Sequence, residues 1–456
     1  MDFLNLLNKV DNFVWGPPLL ILLVGTGIYF TVRLGLIQIV RLPKALKLIF
    51  KAENDGSGDI SSFGALCTAL AATIGTGNIV GVATAIKAGG PGALFWMWIA
   101  AFFGMATKYS EGLLAVKFRT NDDNNQVAGG PMYYIINGMG EKWKPLAIFF
   151  SISGILVALL GIGTFSQVNS ITDAVKGSFN IDPKITGVVL GICVALIIFG
   201  GLQSISNVAT KIVPFMTVLY ILICLTILGK FYTLIPDTLG LILKSAFTGQ
   251  AAAGGFIGST VSMAIRNGIA RGVFSNESGL GSAPIAAAAA KTKWPAEQGL
   301  ISMTGTFIDS IIICTLTGIS LIISGVWQSD LNGAIMTQSA FASVFPNLGP
   351  IFLTISLSLF AFTTIIGWSY YGERCFEFLF GVKKINIFRV LFVTMVLLGA
   401  FLKLEVVWII ADIVNALMAL PNLIALLALS PIVISETKLY LDYIDSKNKL
   451  DDEKII

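Results

Sequence analysis

The chain has 456 residues, of which 55% are hydrophobic and 12% are charged, with a mean hydropathy of +0.82 and a net charge of +4. A water-soluble domain of this composition would expose large apolar patches, so a soluble protein is excluded. The chain has no histidine, which excludes imidazole metal sites and histidine proton relays, and its five cysteines lie singly in apolar segments. With no nucleophile or metal cluster visible, we do not expect an enzyme.

Apolar runs of about 18 or more residues recur along the chain, each long enough to cross a hydrocarbon core about 30 Å thick. Strand-like alternation is absent, which argues against an outer-membrane barrel. We therefore predict an all-α polytopic membrane protein. It has about eleven transmembrane helices, centred on residues 18–32, 62–88, 93–117, 146–172, 185–201, 211–229, 255–290, 299–325, 348–371, 386–402 and 406–434.

Basic residues cluster in alternate loops, which indicates the orientation of the chain. The first cluster, within residues 33–51, is followed by clusters at 117–119, 142–144, 291–293 and 374–389. Because cytoplasmic loops carry the excess of Lys and Arg, we predict an external amino terminus and a cytoplasmic carboxyl terminus in the cell membrane. Residues 33–51 also place apolar and basic residues at helical spacing, which favours an amphipathic helix on the inner leaflet over a solvated linker.

The stretch AATIGTGNIVG, residues 71–81, places glycines and an asparagine inside the second apolar span. A dinucleotide-binding loop would need a preceding strand in a soluble fold, and that context is missing. Simple helix packing through the glycines remains an alternative. The neighbouring Thr73, Thr76 and Asn78 favour a broken helix, which inside a bilayer marks a binding site.

A broken-helix transporter should have a matching break in an inverted repeat. If the first span is set aside, two sets of five remain, and span seven, residues 255–290, has a polar, glycine-rich centre between two apolar arms. The predicted organisation is therefore an extra amino-terminal helix and a cytoplasmic linker before two inverted five-helix repeats. The ranges are 1–34 for the extra helix, 35–60 for the linker, 61–230 and 255–435 for the repeats, 231–254 for the external connection between them, and 436–456 for a cytoplasmic tail.

Four stretches resemble the signatures of the alanine or glycine:cation symporter family: AATIGTGNIVG, TKYSEG at 107–112, GGPMYYI at 129–135 and GIARGVFSNESGLGSAP at 268–284. The resemblance covers nearly the whole chain. It implies the LeuT-type fold, here preceded by one extra helix, and sodium-coupled import of small neutral amino acids, alanine or glycine, by alternating access. We expect a prokaryotic membrane and no organic cofactor, nucleic acid or obligate protein partner.

The resemblance also implies the residues of the site. A half-helix that begins near Gly77 presents free N–H groups to a substrate carboxylate. The expected substrate-binding residues are Gly75, Thr76, Gly77, Asn78, Phe165, Gln167, Phe274, Thr364 and Trp368. Similarity to the LeuT-type sodium site implies, as sodium ligands, the carbonyls of Ala71, Ile74 and Phe360 and the hydroxyls of Thr363 and Thr364.

Each of these side chains also has a structural interpretation. Thr363 and Thr364 could bond to their own helix, Gln167 could bond a neighbouring helix, and Trp368 could be an ordinary packed residue. If Trp368 instead lies in the site, one turn from Thr364, its indole predicts a small substrate.

Further polar residues lie at membrane depth. Lys108 and Glu111 could pair on one helix face, whereas Asp309, Asp412 and Asn415 have no evident partner in the sequence. They either bond neighbouring helices or form a proton or second-cation site, so proton-coupled symport on the same scaffold remains the alternative. A channel is a distant alternative, because the polar residues are concentrated in two breaks and not in a continuous pore.

Overall fold

The computed structural model describes residues 3–51, 56–250, 258–401 and 404–453, and these are almost entirely helical. In chain order the helices of the first half are α1 Phe3–Val14, α2 Pro17–Arg33, α3 Ile37–Val40, α4 Leu42–Lys51, α5 Ser62–Thr73, α6 Val82–Gly89, α7 Gly92–Lys117, α8 Pro131–Met139, α9 Lys144–Leu160, α10 Phe165–Phe179, α11 Pro183–Ile198, α12 Gly201–Lys230 and α13 Ile235–Thr248. Those of the second half are α14 Val261–Asn276, α15 Ala283–Ala288, α16 Pro295–Thr306, α17 Thr315–Ile323, α18 Gly333–Ala342, α19 Gly349–Phe380, α20 Ile385–Gly399, α21 Leu404–Ala428 and α22 Ser430–Glu453.

Several short elements complete the fold. Two π-helical segments, Gly77–Gly81 and Phe307–Cys314, lead into α6 and α17. Single 3₁₀ turns occur at Glu141–Trp143, Tyr232–Leu234, Val326–Gln328 and Val382–Lys384. Within the described ranges, the paired strands are β1 Thr120–Asn121 and β2 Val127–Ala128, antiparallel with Thr120 opposite Ala128.

The break predicted in span two is confirmed. α5 starts at an N-cap in which the Ser61 hydroxyl accepts a hydrogen bond from the Gly64 N–H at 3.0 Å, and it ends at Thr73. The chain resumes as a helix at Gly77 in a different direction, because the two helical parts are bent by 52°. Residues 74–76 therefore leave the regular helix at the position that the sequence indicated.

The break predicted in span seven is also confirmed. α14 ends where Glu277 adopts a left-handed conformation, with φ of 56°, and Gly279 and Gly281 follow at φ of 88° and 80°. Only after this turn does α15 begin, at Ala283. Glycine is the residue that adopts positive φ without steric cost, so this glycine-rich stretch cannot continue a straight helix. The predicted start of span seven at residues 255–257, and with it the boundary at 254, lies outside the described residues.

Two interruptions were not anticipated from the sequence. Residues 161–164 separate α9 from α10 in span four, and the π-helical segment Phe307–Cys314 interrupts span eight. Apolar composition conceals both, because hydropathy averages over a window and does not register a local change in hydrogen-bond pattern. π-Helical segments occur frequently at functional sites, and this one carries Asp309.

The described residues contain six helices that are long and apolar enough to cross a membrane, or seven if the bent α5–α6 pair counts as one span. The protein is thus a multi-pass membrane protein. The count of eleven remains a prediction, since α11 and α20 have only 16 and 15 residues and span seven is divided. Two parts of the predicted cytoplasmic regions are helical: α3 and α4 cover most of the basic stretch, and α22 forms most of the tail.

Contact between α19 and α5 positions the centre of the molecule. A Cβ atom built on Gly367 of α19 would lie 2.8 Å from the backbone nitrogen and 2.9 Å from the Cα of Ala72 on α5. Only a glycine permits this approach, since a backbone in a packed helix cannot move aside. The contact holds α19 against the last turn before the span-two break.

We expect Gly367→Ala to destabilise the protein by about 1–3 kcal/mol, because the added methyl overpacks a contact between two backbones. Thermal unfolding of the purified protein in detergent would then show a lower midpoint. The matched control is Gly25→Ala in α2, where a Cβ meets no atom within 4 Å; this variant should unfold at or above the wild-type temperature. Equal midpoints for Gly367→Ala and the wild type would contradict the contact.

Candidate substrate and sodium site

Asn78 forms hydrogen bonds with the unwound residues in the break of span two. Its Oδ1 accepts a hydrogen bond from the Gly75 N–H at 2.9 Å, and its own N–H donates to the Gly75 carbonyl at 3.2 Å. Its Nδ2 donates to Asp309 Oδ1 at 2.7 Å, which ties the break to the π-helical segment of span eight. The Asn78 N–H is thus already bonded in this structure, and its predicted contact with a substrate carboxylate remains a prediction.

Gln167 braces the same break from span four. Its Oε1 accepts a hydrogen bond from the Thr76 N–H at 3.2 Å. Two polar atoms of this pair, Gln167 Nε2 and Thr76 Oγ1, are buried and have no hydrogen-bond partner within the described part of the chain. Each such group costs about 1–3 kcal/mol when left unpaired, so a polar ligand at this position would be stabilising.

Two glycines set the distances between the spans around the break. A Cβ on Gly75 would overlap the Thr364 hydroxyl of α19, and a Cβ on Gly77 would lie 3.1 Å from the Ser275 Cα of α14. The absence of side chains at these positions lets spans seven and nine approach span two. The glycines that suggested a break in the sequence thus also bring the second break and α19 to it.

Four of the five predicted sodium ligands supply neighbouring oxygens. Thr364 Oγ1 lies 3.3 Å from the Ile74 carbonyl and 3.0 Å from the Phe360 carbonyl, and Thr363 Oγ1 lies 2.9 Å from the Phe360 carbonyl. These separations are hydrogen-bond distances with the hydroxyls as donors, so a shared sodium ion remains a prediction. Both hydroxyls also bond to carbonyls of their own helix, as the structural alternative predicted. The fifth residue, Ala71, immediately precedes Ala72, which contacts Gly367.

Trp368 faces the break of span seven. Its buried indole N–H donates to Glu277 Oε1 at 2.8 Å, and the Ser282 hydroxyl donates to Glu277 Oε2 at 2.5 Å. Because Thr364 contacts the span-two break one turn earlier, a single face of α19 contacts both breaks. Phe274, expected to bind substrate, is buried with its ring 3.5 Å from a Cβ built on Gly77.

Phe165 has a different environment from the other predicted residues. It stands at the first turn of α10, and its ring lies 3.3 Å from a Cβ built on Gly399 of α20. The contact is with a helix outside the two breaks. Its predicted role in the pocket remains a prediction.

The sequence did not identify the side chains that hold the unwound part of span seven. Glu111 Oε1 accepts hydrogen bonds from the N–H groups of Gly279 and Gly281, both at 3.1 Å, and from Asn422 Nδ2 at 2.7 Å. Lys108 Nζ donates to the Asn276 carbonyl at 2.9 Å. The two charges, which the sequence suggested could pair with each other or bond a neighbouring helix, bond opposite ends of the unwound segment. Their spacing of three residues correctly indicated a shared helix face.

The two aspartates without an evident partner in the sequence both have partners in the structure. Asp309 accepts hydrogen bonds from Asn78 and, through Oδ2, from the hydroxyls of Ser275 at 2.9 Å and Ser310 at 2.8 Å. Asp412 is bound by both terminal nitrogens of Arg271, at 2.9 and 2.7 Å. Both acids therefore bond a neighbouring helix, one of the two alternatives, and a proton or second-cation role remains a prediction.

A cavity of ≈ 830 Å³ leads from the surface toward these residues. It is lined by parts of α6, α10, α14 and α18, including Val80, Thr84, Ser170, Asp173 and Arg271. Arg271 lies 5.4 Å above the ring of Phe274, and that ring lies 3.5 Å from a Cβ built on Gly77, so Phe274 contacts both the cavity lining and the helix that follows the span-two break. Three further lining residues, Lys176 in the last turn of α10, Asn180 and Asn332, lie between predicted spans in stretches that the charge bias predicts to be external.

The opposite end of the two broken spans is closed. The Lys291 N–H donates to the Ile60 carbonyl at 2.8 Å, and the Asp59 N–H donates to the Ala289 carbonyl at 2.9 Å. Arg119 adds bonds to the carbonyls of Ala288 and Ala290, at 2.8 and 2.7 Å. Among the described residues, these contacts join the ends of the two broken spans that lie opposite the cavity.

Comparisons with known proteins agree with this geometry. Residues 1–454 match the sodium:alanine symporter family. The chain is 53% identical to the sodium/alanine symporter AgcS of Methanococcus maripaludis over 96% of this chain and 98% of the relative. It is also 37% identical to a probable sodium/glutamine symporter, GlnT, of Bacillus subtilis over 96% of this chain and 90% of the relative.

A solved structure supports the predicted fold. The crystal structure of MhsT in complex with L-phenylalanine is similar with a TM-score of 0.60 at 15% identity, over 84% of this chain and 93% of that chain. This similarity shows the fold, and the LeuT-type architecture with broken helices in spans two and seven is confirmed. Together with the family match over residues 1–454, it identifies the chain as a member of the sodium:alanine symporter family.

Proposed function

We propose that the protein imports a small neutral amino acid, alanine or glycine, together with sodium, by alternating access across a prokaryotic cell membrane. The single observation that carries the proposal is the meeting of two broken helices beside the oxygens of Ile74, Phe360 and Thr364. The amino terminus would be external and the carboxyl terminus cytoplasmic, which places the 830 Å³ cavity on the external side.

The substrate lies between the span-two break, α10 and α19. Thr76 Oγ1 and Gln167 Nε2 offer buried polar atoms without partners, which suits the charged ends of an amino acid. The indole of Trp368, held by Glu277, occupies the space that a long side chain would need. This arrangement favours a substrate with a side chain no larger than a methyl group.

Sodium binds where α19 meets the end of α5. Carbonyl and hydroxyl oxygens without a fixed charge suit a monovalent hard cation. An ion there would hold the Ile74 carbonyl against α19 and so fix the direction in which the half-helix after Gly77 presents its N–H groups. Sodium and substrate then favour the same arrangement of span two, so each should raise the affinity for the other.

The transport cycle requires the two ends to open in turn. Both ligands enter through the external cavity, and Phe274 then separates the site from that cavity. To release sodium and the amino acid inside, the contacts of residues 59–60 with 289–291 must break, and so must those of Arg119. The driving force is the sodium gradient. Proton coupling remains the alternative, because the buried Asp309 lies beside the break.

The function is tested by L-alanine binding to the purified full-length protein and by uptake into vesicles. We expect saturable binding in sodium that is lost when potassium replaces sodium, and uptake driven by an inward sodium gradient. Binding that is equal in sodium and potassium would overturn sodium coupling. Uptake driven by a proton gradient alone would support the alternative.

Replacement of Thr364 by alanine should weaken the apparent sodium affinity by about tenfold or more, because one of the oxygen ligands is lost. The measurement is the sodium dependence of L-alanine binding. The matched control is Thr394→Ala, since the Thr394 hydroxyl also bonds to its own helix, at 2.9 Å from the Val390 carbonyl, but lies exposed on α20. A sodium dependence unchanged in Thr364→Ala would remove this residue from the cation site.

Replacement of Trp368 by phenylalanine should shift selectivity toward larger side chains by about tenfold. This is the change in the ratio of substrate affinities that one or two methylene groups cause in an apolar pocket. The measurement is the ratio of leucine to alanine affinity in sodium. Trp98→Phe is the control, because the Trp98 N–H also bonds to a side chain, Thr315, at 2.8 Å. If both variants keep the wild-type ratio, Trp368 does not limit the size of the substrate.

A further inference from the structure

Asn415 of α21 is not explained by the contacts described above. Its side chain is fully buried, and neither Oδ1 nor Nδ2 has a hydrogen-bond partner among the residues that the structure describes. A buried carboxamide without partners is strongly destabilising, so native structures rarely keep one without a reason. A ligand that bonds both atoms would supply that reason.

The register of α21 places Asn415 at the level of the span-seven break. Asn422 follows it by seven residues, two helical turns, so the two side chains share a face. Asn422 Nδ2 donates to the Gly279 carbonyl at 2.9 Å, whereas Asp412, one turn before Asn415, binds Arg271 of α14. Asn415 therefore lies between the levels of Arg271 and Gly279, where span seven leaves its helix.

A second contact places this part of α21 beside span four. Val414 Cγ2 lies 3.1 Å from a Cβ built on Gly161, in the interruption between α9 and α10. The first turn of α10 after that interruption carries two further buried atoms without partners, Ser166 Oγ and Gln167 Nε2. Gln167 in turn bonds the Thr76 N–H of span two. α21 thus contacts span four at the interruption whose following turn carries unpaired polar atoms, and span four in turn bonds the break of span two.

We propose that Asn415 is a substrate-binding residue supplied by span eleven, and that its carboxamide bonds the charged groups of the transported amino acid. A zwitterion offers both kinds of partner: its ammonium donates to Oδ1 and its carboxylate accepts from Nδ2. This assignment gives the ammonium an uncharged acceptor, because the nearby carboxylate of Asp412 already forms an ion pair with Arg271. The inference rests on the proposed function and adds to it a residue that the two broken helices and α19 do not supply.

The test is L-alanine binding to purified full-length Asn415→Leu in sodium, together with its unfolding temperature. Leucine keeps the branched shape of asparagine and removes both polar atoms. We expect alanine affinity to fall by about 10- to 100-fold, the ratio for a lost hydrogen bond to a charged group, while the unfolding temperature without ligand stays the same or rises. A purely structural asparagine would give the opposite pattern, a lower unfolding temperature with unchanged affinity.

Thr26→Val is the matched control. Thr26 also carries a buried hydroxyl without a partner, but it lies on α2 in the extra first span, and its variant should bind alanine like the wild type. If Asn415→Leu does not fold, Asn415→Ala is measured with the same criteria. Wild-type alanine affinity in the folded Asn415 variant overturns this inference alone, whereas the absence of sodium-dependent binding by the wild type overturns the proposed function.

Discussion

The fold depends on one constraint: a helix interrupted in a membrane must find partners for its free backbone groups, because the surroundings supply no water. Each break meets this need with side chains, most of them from another part of the chain. Asn78 and Gln167 accept from the N–H groups of Gly75 and Thr76. Glu111 accepts from Gly279 and Gly281 in span seven. The unwound segments are therefore stable only when several spans are assembled around them.

Bracing by other spans also explains how distant parts of the molecule can respond to a ligand. α19 contacts the span-two break through Thr364 and the span-seven break through Trp368, one helical turn apart. Asp309 contacts Asn78 in one broken span and Ser275 in the other. A ligand that changes the geometry of one break therefore changes the geometry of the other break as well. This is the physical requirement for coupling two ligands in one transport cycle.

The buried polar groups divide into two kinds. Glu111 through Oε1, and Asn422, bond the unwound backbone of span seven, and Asp309 bonds side chains of both broken spans. Among the described residues, Gln167 and Thr76 retain atoms without partners, and both polar side-chain atoms of Asn415 are unpaired. Since unpaired buried groups are costly, those near the two breaks are where we expect a ligand, and the groups with several partners are where substitutions should mainly affect stability.

Sequence alone determined the membrane class, the two broken spans and the family resemblance, because composition, hydropathy and glycine-rich interruptions are local properties of the chain. It also placed Thr364 and Trp368 on one helix face, which needs only helical periodicity. Tertiary structure decided the partners. The bonds of Lys108 and Glu111 to opposite ends of residues 276–281, the pairing of Arg271 with Asp412 and the position of Phe165 against Gly399 join residues far apart in the chain. The periodicity of the sequence does not predict such contacts, because they depend on how the helices pack against one another.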